Sequence, residues 1–210
     1  MIIEPTFTTP LGFYDYKKTI HQSEYDFIHN LKYEKNIHNT ISASKTLLDH
    51  DELKRLAVFF KTSLADYIRK TINPPDTVRH YITHCWANKT NVGESHHRHN
   101  HPNSIVSGVF YVNTVKDRDA ILFYKPRDFG IMPVLLDISQ LTPYNSYSYR
   151  ADAIEKRLVL FPSHLEHEVQ TVKGDTDTRV SIAFNTFITG AVNSGIGDDS
   201  HMIIPPVNYG

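Results

Sequence analysis

Four histidines fall within six positions of the 210-residue chain, at His96, His97, His99 and His101. Imidazole is both a metal ligand and an acid–base group near neutral pH, so such a run in mid-chain points to metal binding, substrate binding or both. The pair His99-Asn100-His101 has the most informative spacing. On an extended strand, side chains at i and i+2 share a face with Cα atoms about 6.5–7 Å apart, and two imidazoles so placed converge on one ion. The same spacing also fits a solvated turn before Pro102. A third ligand has to come from elsewhere. His167, in Leu165-Glu166-His167-Glu168-Val169 after the apolar run Leu158 to Phe161, is the best placed.

Arg179 is the next residue with a chemical reading. Lys173 to Thr178 reads as a hairpin turn between Val169–Val172 and Arg179–Phe184. Centring that hairpin on Asp175 sets His167 opposite Ala183 and gives His167, Arg179 and Ser181 a shared face. Arg179 then lies about 13 Å along the strand from the metal level. A five-carbon dicarboxylate chelating the metal, together with the reach of an arginine, covers that span. Guanidinium suits the far carboxylate because it donates two parallel hydrogen bonds. A surface ion pair with Asp175 or Asp177 is the plainer role for the same side chain.

The elements that must hold these residues are legible in outline. Asp49 and Glu52 are spaced as a capping box. Leu53, Leu56, Phe60, Leu64, Tyr67 and Ile68 then recur on one helical face until Asn73-Pro74-Pro75 stops the helix. A shorter helix is expected over Ser23 to Leu31. After Pro75, short runs rich in Val, Ile, Tyr, Phe and Thr alternate with turn residues. Strands are expected near 79–88, 96–101, 106–114, 119–125, 131–137, 145–150, 156–161, 165–172 and 179–188. Such a series without intervening helices predicts a mainly β fold with supporting helices, a double-sheet jelly roll. One domain results, with 1–78 as helical support, 79–190 as the core and 191–210 as a tail, lid or oligomer contact.

Composition narrows the function. Lys and Arg number 22 against 23 Asp and Glu, a net charge of -1, which disfavours a long nucleic-acid partner. With 40% hydrophobic and 21% charged residues, the chain has a globular composition. Cys85 is the single cysteine, so neither an internal disulfide nor a cysteine-built zinc site is available. Met1-Ile2-Ile3-Glu4-Pro5 is not a signal-peptide start, and no apolar run nears the length of a membrane span. A soluble, cytoplasmic protein is expected.

Four stretches occur in a recognisable order: His99-x-His101, Val109-Phe110-Tyr111-Val112-Asn113, His167-Glu168-Val169-Gln170 and Thr178-Arg179. In this the chain resembles the iron(II)- and 2-oxoglutarate-dependent oxygenases, prolyl-hydroxylase-like members above all. The likeness extends to an uncharacterised branch of marine bacteria and phages through His99 to Val112 and Phe161 to Val169, and it covers roughly 86–187. The resemblance implies a double-stranded β-helix whose His99 and His167 bind iron(II). It implies that Arg179 pairs with the distal carboxylate of 2-oxoglutarate, with Tyr111 bonding the same group and Ser181 completing an Arg-x-Ser pattern. The implied reaction couples oxidative decarboxylation of 2-oxoglutarate to hydroxylation of a small molecule or a protein side chain. Apart from the resemblance, a homodimer is the candidate assembly. His96, His97 and His164 match no role in the family.

One departure stands out. The common ligand set is two histidines and a carboxylate. Here His101 occupies the carboxylate's place, and no acid lies at a compatible spacing between Ser95 and Pro102. Three histidines also suit zinc. Two rival readings follow, a cupin-like three-histidine metalloenzyme without 2-oxoglutarate and a non-catalytic metal-binding jelly roll. Arg179 and Tyr111 separate the oxygenase from both, since neither rival needs a dicarboxylate clamp.

Overall fold

The computed structural model describes residues 2–3, 6–126, 139–142, 144–174, 178–193 and 202–206. In chain order its elements are β1 (Gly12–Asp15), α1 (Gln22–His29), β2 (Tyr33–Lys35), β3 (Thr40–Ser42), α2 (Lys54–Thr71), β4 (Arg79–Thr90), β5 (His96–His99), β6 (Val106–Asn113), β7 (Ala120–Tyr124), β8 (Ser148–Asp152), β9 (Arg157–Pro162), β10 (His167–Val169), β11 (Arg179–Val192) and β12 (Met202–Ile204). Two antiparallel sheets form. The major one runs β1-β9-β6-β11-β4-β3-β2, with β12 on β11, and the minor one runs β5-β10-β7-β8. From β4 to β11 the chain passes back and forth between the sheets, which is the jelly-roll topology the sequence predicts.

The major sheet is covered on both faces, so its strands read as near-continuous apolar runs. β6 buries seven of its eight residues. Along each strand the parity decides the destination. Cys85, Ala87, Phe110, Leu158, Leu160, Ile182 and Phe184 face the helical layer, whereas Val109, Tyr111, Val159 and Phe161 face the minor sheet. α2 supplies the cover for the first group. Its Phe60 ring sits 5.2 Å from Phe110 and 5.4 Å from Phe184. Leu53, Leu56, Phe60, Leu64, Tyr67 and Ile68 are all buried, as their helical period requires. Gly108 is needed at this interface, since a Cβ there would lie 2.4 Å from the Phe184 ring and 2.9 Å from Leu160.

Several expectations need correction. No capping box forms at Asp49. Two short 3-10 turns, Leu47–Asp49 and Asp51–Leu53, precede α2 instead, and they bury both Leu47 and Leu53. Burial of those leucines outweighs a surface cap. The box-like contact belongs to α1, where the Glu24 carboxylate accepts from the His21 N–H at 2.6 Å. Besides helices, the first third contributes β1, β2 and β3 to the major sheet, strands too short to show a period of their own.

The hairpin centred on Asp175 is the largest error. β10 pairs with β5 and β7, while β11 pairs with β4 and β6, so the two segments lie in opposite sheets. Ala183 lies across from Trp86 and Val109, not from His167. Local sequence adjacency suggested a hairpin, but a strand that crosses between sheets buries both inner faces. Asp175 and Asp177, and the strand expected over 131–137, lie outside the described residues. At the tail, β12 pairs with the far end of β11, from Gly190↔Ile204 to Val192↔Met202.

Candidate metal centre

The minor sheet sets two of the three expected ligands side by side. His167 on β10 is the register partner of His99, the last residue of β5. His101 lies two residues beyond the strand, in the following turn, where its backbone N–H donates to the Ser163 carbonyl at 2.9 Å. The strand-face argument therefore holds for His99 alone, and the turn delivers His101. Ring centroids are 4.3 Å apart for His99 and His167, 5.0 Å for His99 and His101, and 5.1 Å for His101 and His167. One ligand atom from each lies within 4.8 Å of the others.

The protonation of these rings suits a cation. His99 Nδ1 is 2.7 Å from the His97 carbonyl and His167 Nδ1 is 3.0 Å from that of Leu165. A carbonyl can only accept, so each Nδ1 carries the proton and each Nε2 keeps its lone pair free. Burial, reinforced by the neighbouring imidazoles, pushes His167 down to about 3 and His101 down to about 4. Burial lowers His99 as well. All three are neutral near pH 7, the form that binds metal. Phe161, 4.8 Å from the His167 ring, and Phe123, 5.9 Å from it, form the apolar floor. The donor set therefore fits a divalent ion, whose bonds to imidazole run about 2.0–2.1 Å.

Facing the histidines across the interior is the inner face of the major sheet. Arg179 and Ser181 of β11 line the same cavity as the triad, together with Trp86, Asn88 and Thr90 of β4. Arg179 is only 3% exposed. Its guanidinium donates to the Ala120 carbonyl at 3.0 Å and lies 5.1 Å from the Tyr111 ring, with no carboxylate in ion-pair contact among the described residues. Tyr111 is fully buried and its hydroxyl has no partner there. A buried cation beside an unpaired hydroxyl is costly unless an anion joins them. The shared cavity survives the misplaced hairpin because the inward parity of β11 is the same whichever strand it pairs with.

The remaining histidines divide. His96 stacks on His99 at 4.3 Å and lines the cavity. His97 is exposed, 6.0 Å from His38, and His164 is exposed away from the cluster. Sequence reasoning missed Trp86 and Asn88, although their i, i+2 spacing on a strand already expected over 79–88 marks one face.

Fold and site together define a jelly-roll protein with a three-histidine centre and an anion-seeking arginine between its sheets. Residues 84–185 match the family described as putative 2OG-Fe(II) oxygenase. Through that segment, just under half of the chain, the protein is similar to the iron(II)- and 2-oxoglutarate-dependent oxygenases. No curated protein sequence matches it. Among solved structures, a Pseudomonas putida prolyl-4-hydroxylase is similar at 12% identity and a TM-score of 0.55, over 85% of this chain and 93% of that one. A prolyl hydroxylase from Trichoplax adhaerens, in complex with a hypoxia inducible factor peptide fragment, is 15% identical with a TM-score of 0.57, over 86% and 84%. HygX from Streptomyces hygroscopicus, with nickel, 2-oxoglutarate and hygromycin B bound, is 12% identical with a TM-score of 0.57, over 85% and 83%. These likenesses place the fold with prolyl-hydroxylase-like oxygenases. No described helix is long and apolar enough to cross a membrane.

Proposed function

We propose that this oxygenase holds its iron(II) through His99, His101 and His167 and its 2-oxoglutarate through Arg179, Tyr111 and Ser181. When bound, iron(II) would let dioxygen act as the oxidant, one oxygen atom leaving in succinate as 2-oxoglutarate loses carbon dioxide and the other entering the hydroxylated substrate. The protein's own contribution is binding, orientation and exclusion of water. The carbonyls behind His99 and His167 fix the two rings with Nε2 toward the centre, and the Ser163 carbonyl anchors the His101 backbone. Arg179 donates to the distal carboxylate, and the Tyr111 hydroxyl gains the acceptor it lacks. His101 in the carboxylate's place leaves the ion its full dipositive charge, which the dianionic co-substrate balances.

The observation that carries this reading is the buried Arg179, with no carboxylate partner among the described residues, sharing a cavity with three neutral imidazoles. A metal centre without a dicarboxylate has no use for it. The prime substrate we assign is a small molecule or a protein side chain. Support comes from two structural relatives, one with hygromycin B bound and one in complex with a peptide fragment, and from the near-neutral charge of this chain. Succinate release from 2-oxoglutarate with iron(II), without added substrate, tests the assignment. It is expected in the parent protein, absent in His167→Ala, and restored by high 2-oxoglutarate in Arg179→Ala. Parent-level turnover in His167→Ala would overturn the ligand set.

A further inference from the structure

β4, β11 and β6 are neighbours in the major sheet, and their register sets polar side chains in rows. Asn88 is opposite Ser181, and Ser181 is opposite Tyr111 on the other side. All three residues are inward-facing and buried, at 8%, 4% and 0% exposure. The two flanking members each carry an orphan. Asn88 Oδ1 and the Tyr111 hydroxyl are buried with no hydrogen-bond partner among the described residues. Buried polar atoms find partners in folded proteins, and Asn88 also lines the cavity that holds the three histidines and Arg179.

The same register fixes how deep the row lies. Ala183 pairs with Trp86, whose ring is 6.1 Å from His101, so that row is level with the histidines. Arg179 pairs with Thr90, two rows further on. Rows of one face are about 6.6 Å apart. The Asn88–Ser181–Tyr111 row therefore lies midway between the metal centre and the arginine, along the path a chelating dicarboxylate must occupy.

We infer that Asn88 is a further residue holding 2-oxoglutarate, its carboxamide hydrogen-bonding the flank of the co-substrate between the metal-proximal end and the Arg179 clamp. A half-turn of the carboxamide exchanges Oδ1 and Nδ2, so the site offers N–H donors to an acceptor-only dianion. Until that ligand arrives, the carboxamide is a buried group with an unmet bond, which lowers the stability of the empty protein. Asn88 thus has opposite effects on stability and binding. A residue kept for packing alone would not.

The inference rests on the co-substrate reading above, and the test separates the two. Protein loaded with Mn(II) under nitrogen is titrated with 2-oxoglutarate by calorimetry, for the parent, Asn88→Leu, Asn88→Asp and Arg179→Ala. Thermal unfolding is followed on the metal-free forms. Asn88→Leu is expected to weaken 2-oxoglutarate by about tenfold or more, the usual worth of a hydrogen bond to a charged group, while metal-free Tm rises. Asn88→Asp is expected to bind more weakly still, through repulsion of the dianion. Affinity within twofold of the parent in Asn88→Leu, with Arg179→Ala impaired, overturns the inference alone. A fall in metal-free Tm with affinity retained makes Asn88 structural and likewise overturns it. No heat in the parent, or unaltered affinity in Arg179→Ala, overturns the co-substrate site and this inference with it.

Discussion

The two faces of the major sheet are made by the same strands and differ in almost everything else. The face toward α2 is dry and apolar, with Phe60, Phe110 and Phe184 in contact and Gly108 giving way to an aromatic ring. The face toward the minor sheet carries Arg179, Asn88 and Ser181 opposite three histidines. Alternation along a strand lets one residue serve packing and its neighbour serve chemistry. Stability is built on the first face and held in reserve on the second, where buried polar groups await ligands.

The sharpest way to break that contrast is to truncate one large side chain on each face. Phe110→Ala should cost about 3–5 kcal/mol of unfolding free energy, because it empties a packed site. His167→Ala should leave metal-free stability unchanged or raised, while abolishing metal uptake measured by elemental analysis of the purified variants. A matching loss of stability from His167→Ala would mean the inner face is an ordinary core.

Ligand addition should then stabilise the inner face alone. Saturating Mn(II) at roughly a thousand times its Kd should add about 4 kcal/mol to the parent. It should add nothing to His99→Ala, as read by thermal unfolding with and without the metal.

Titration should distinguish the faces by sign. On the inner face, imidazoles held below their ordinary value of 6.5, to about 3 for His167 and about 4 for His101, bind fewer protons folded than unfolded. Metal-free stability should be complete above about pH 6.5 and fall as pH drops toward those values. On the helical face, burial raises the Cys85 thiol and the Tyr67 hydroxyl, so their contribution is present at neutral pH and lost only in alkali. Urea unfolding across pH 4.5–10 checks both limbs, and a flat acid limb would contradict the neutral triad.

The smallest effect belongs to Gly108→Ala. Its added methyl points into the Phe184 ring on the helical face, so a cost of about 1–3 kcal/mol is expected, with metal binding unchanged in the folded protein. Reduced metal affinity at full folding would show that the two faces are coupled through β6.

Periodicity made α2 and most strands readable, because burial repeats every 3.6 or 2 residues whatever lies on the other side. Residue chemistry and motif order likewise marked His99, His167 and Arg179 as candidates, and the fold brings them to one cavity. His101 was readable as a candidate, although the sequence could not show that a turn bonded to Ser163 delivers it. β1, β2 and β3 were not readable, since three or four residues carry no period.

Pairing was the part that only the tertiary structure decided. Sequence proximity joined β10 to β11 in a hairpin, yet they lie in opposite sheets, because a strand edge accepts any partner and the choice depends on which inner faces bury each other. That choice lines Asn88, Ser181 and Tyr111 into one row from three distant segments. The sequence by itself determined which side of each strand would be polar. Whether those polar sides would meet in one cavity depended on long-range register, which the local pattern of residues does not encode.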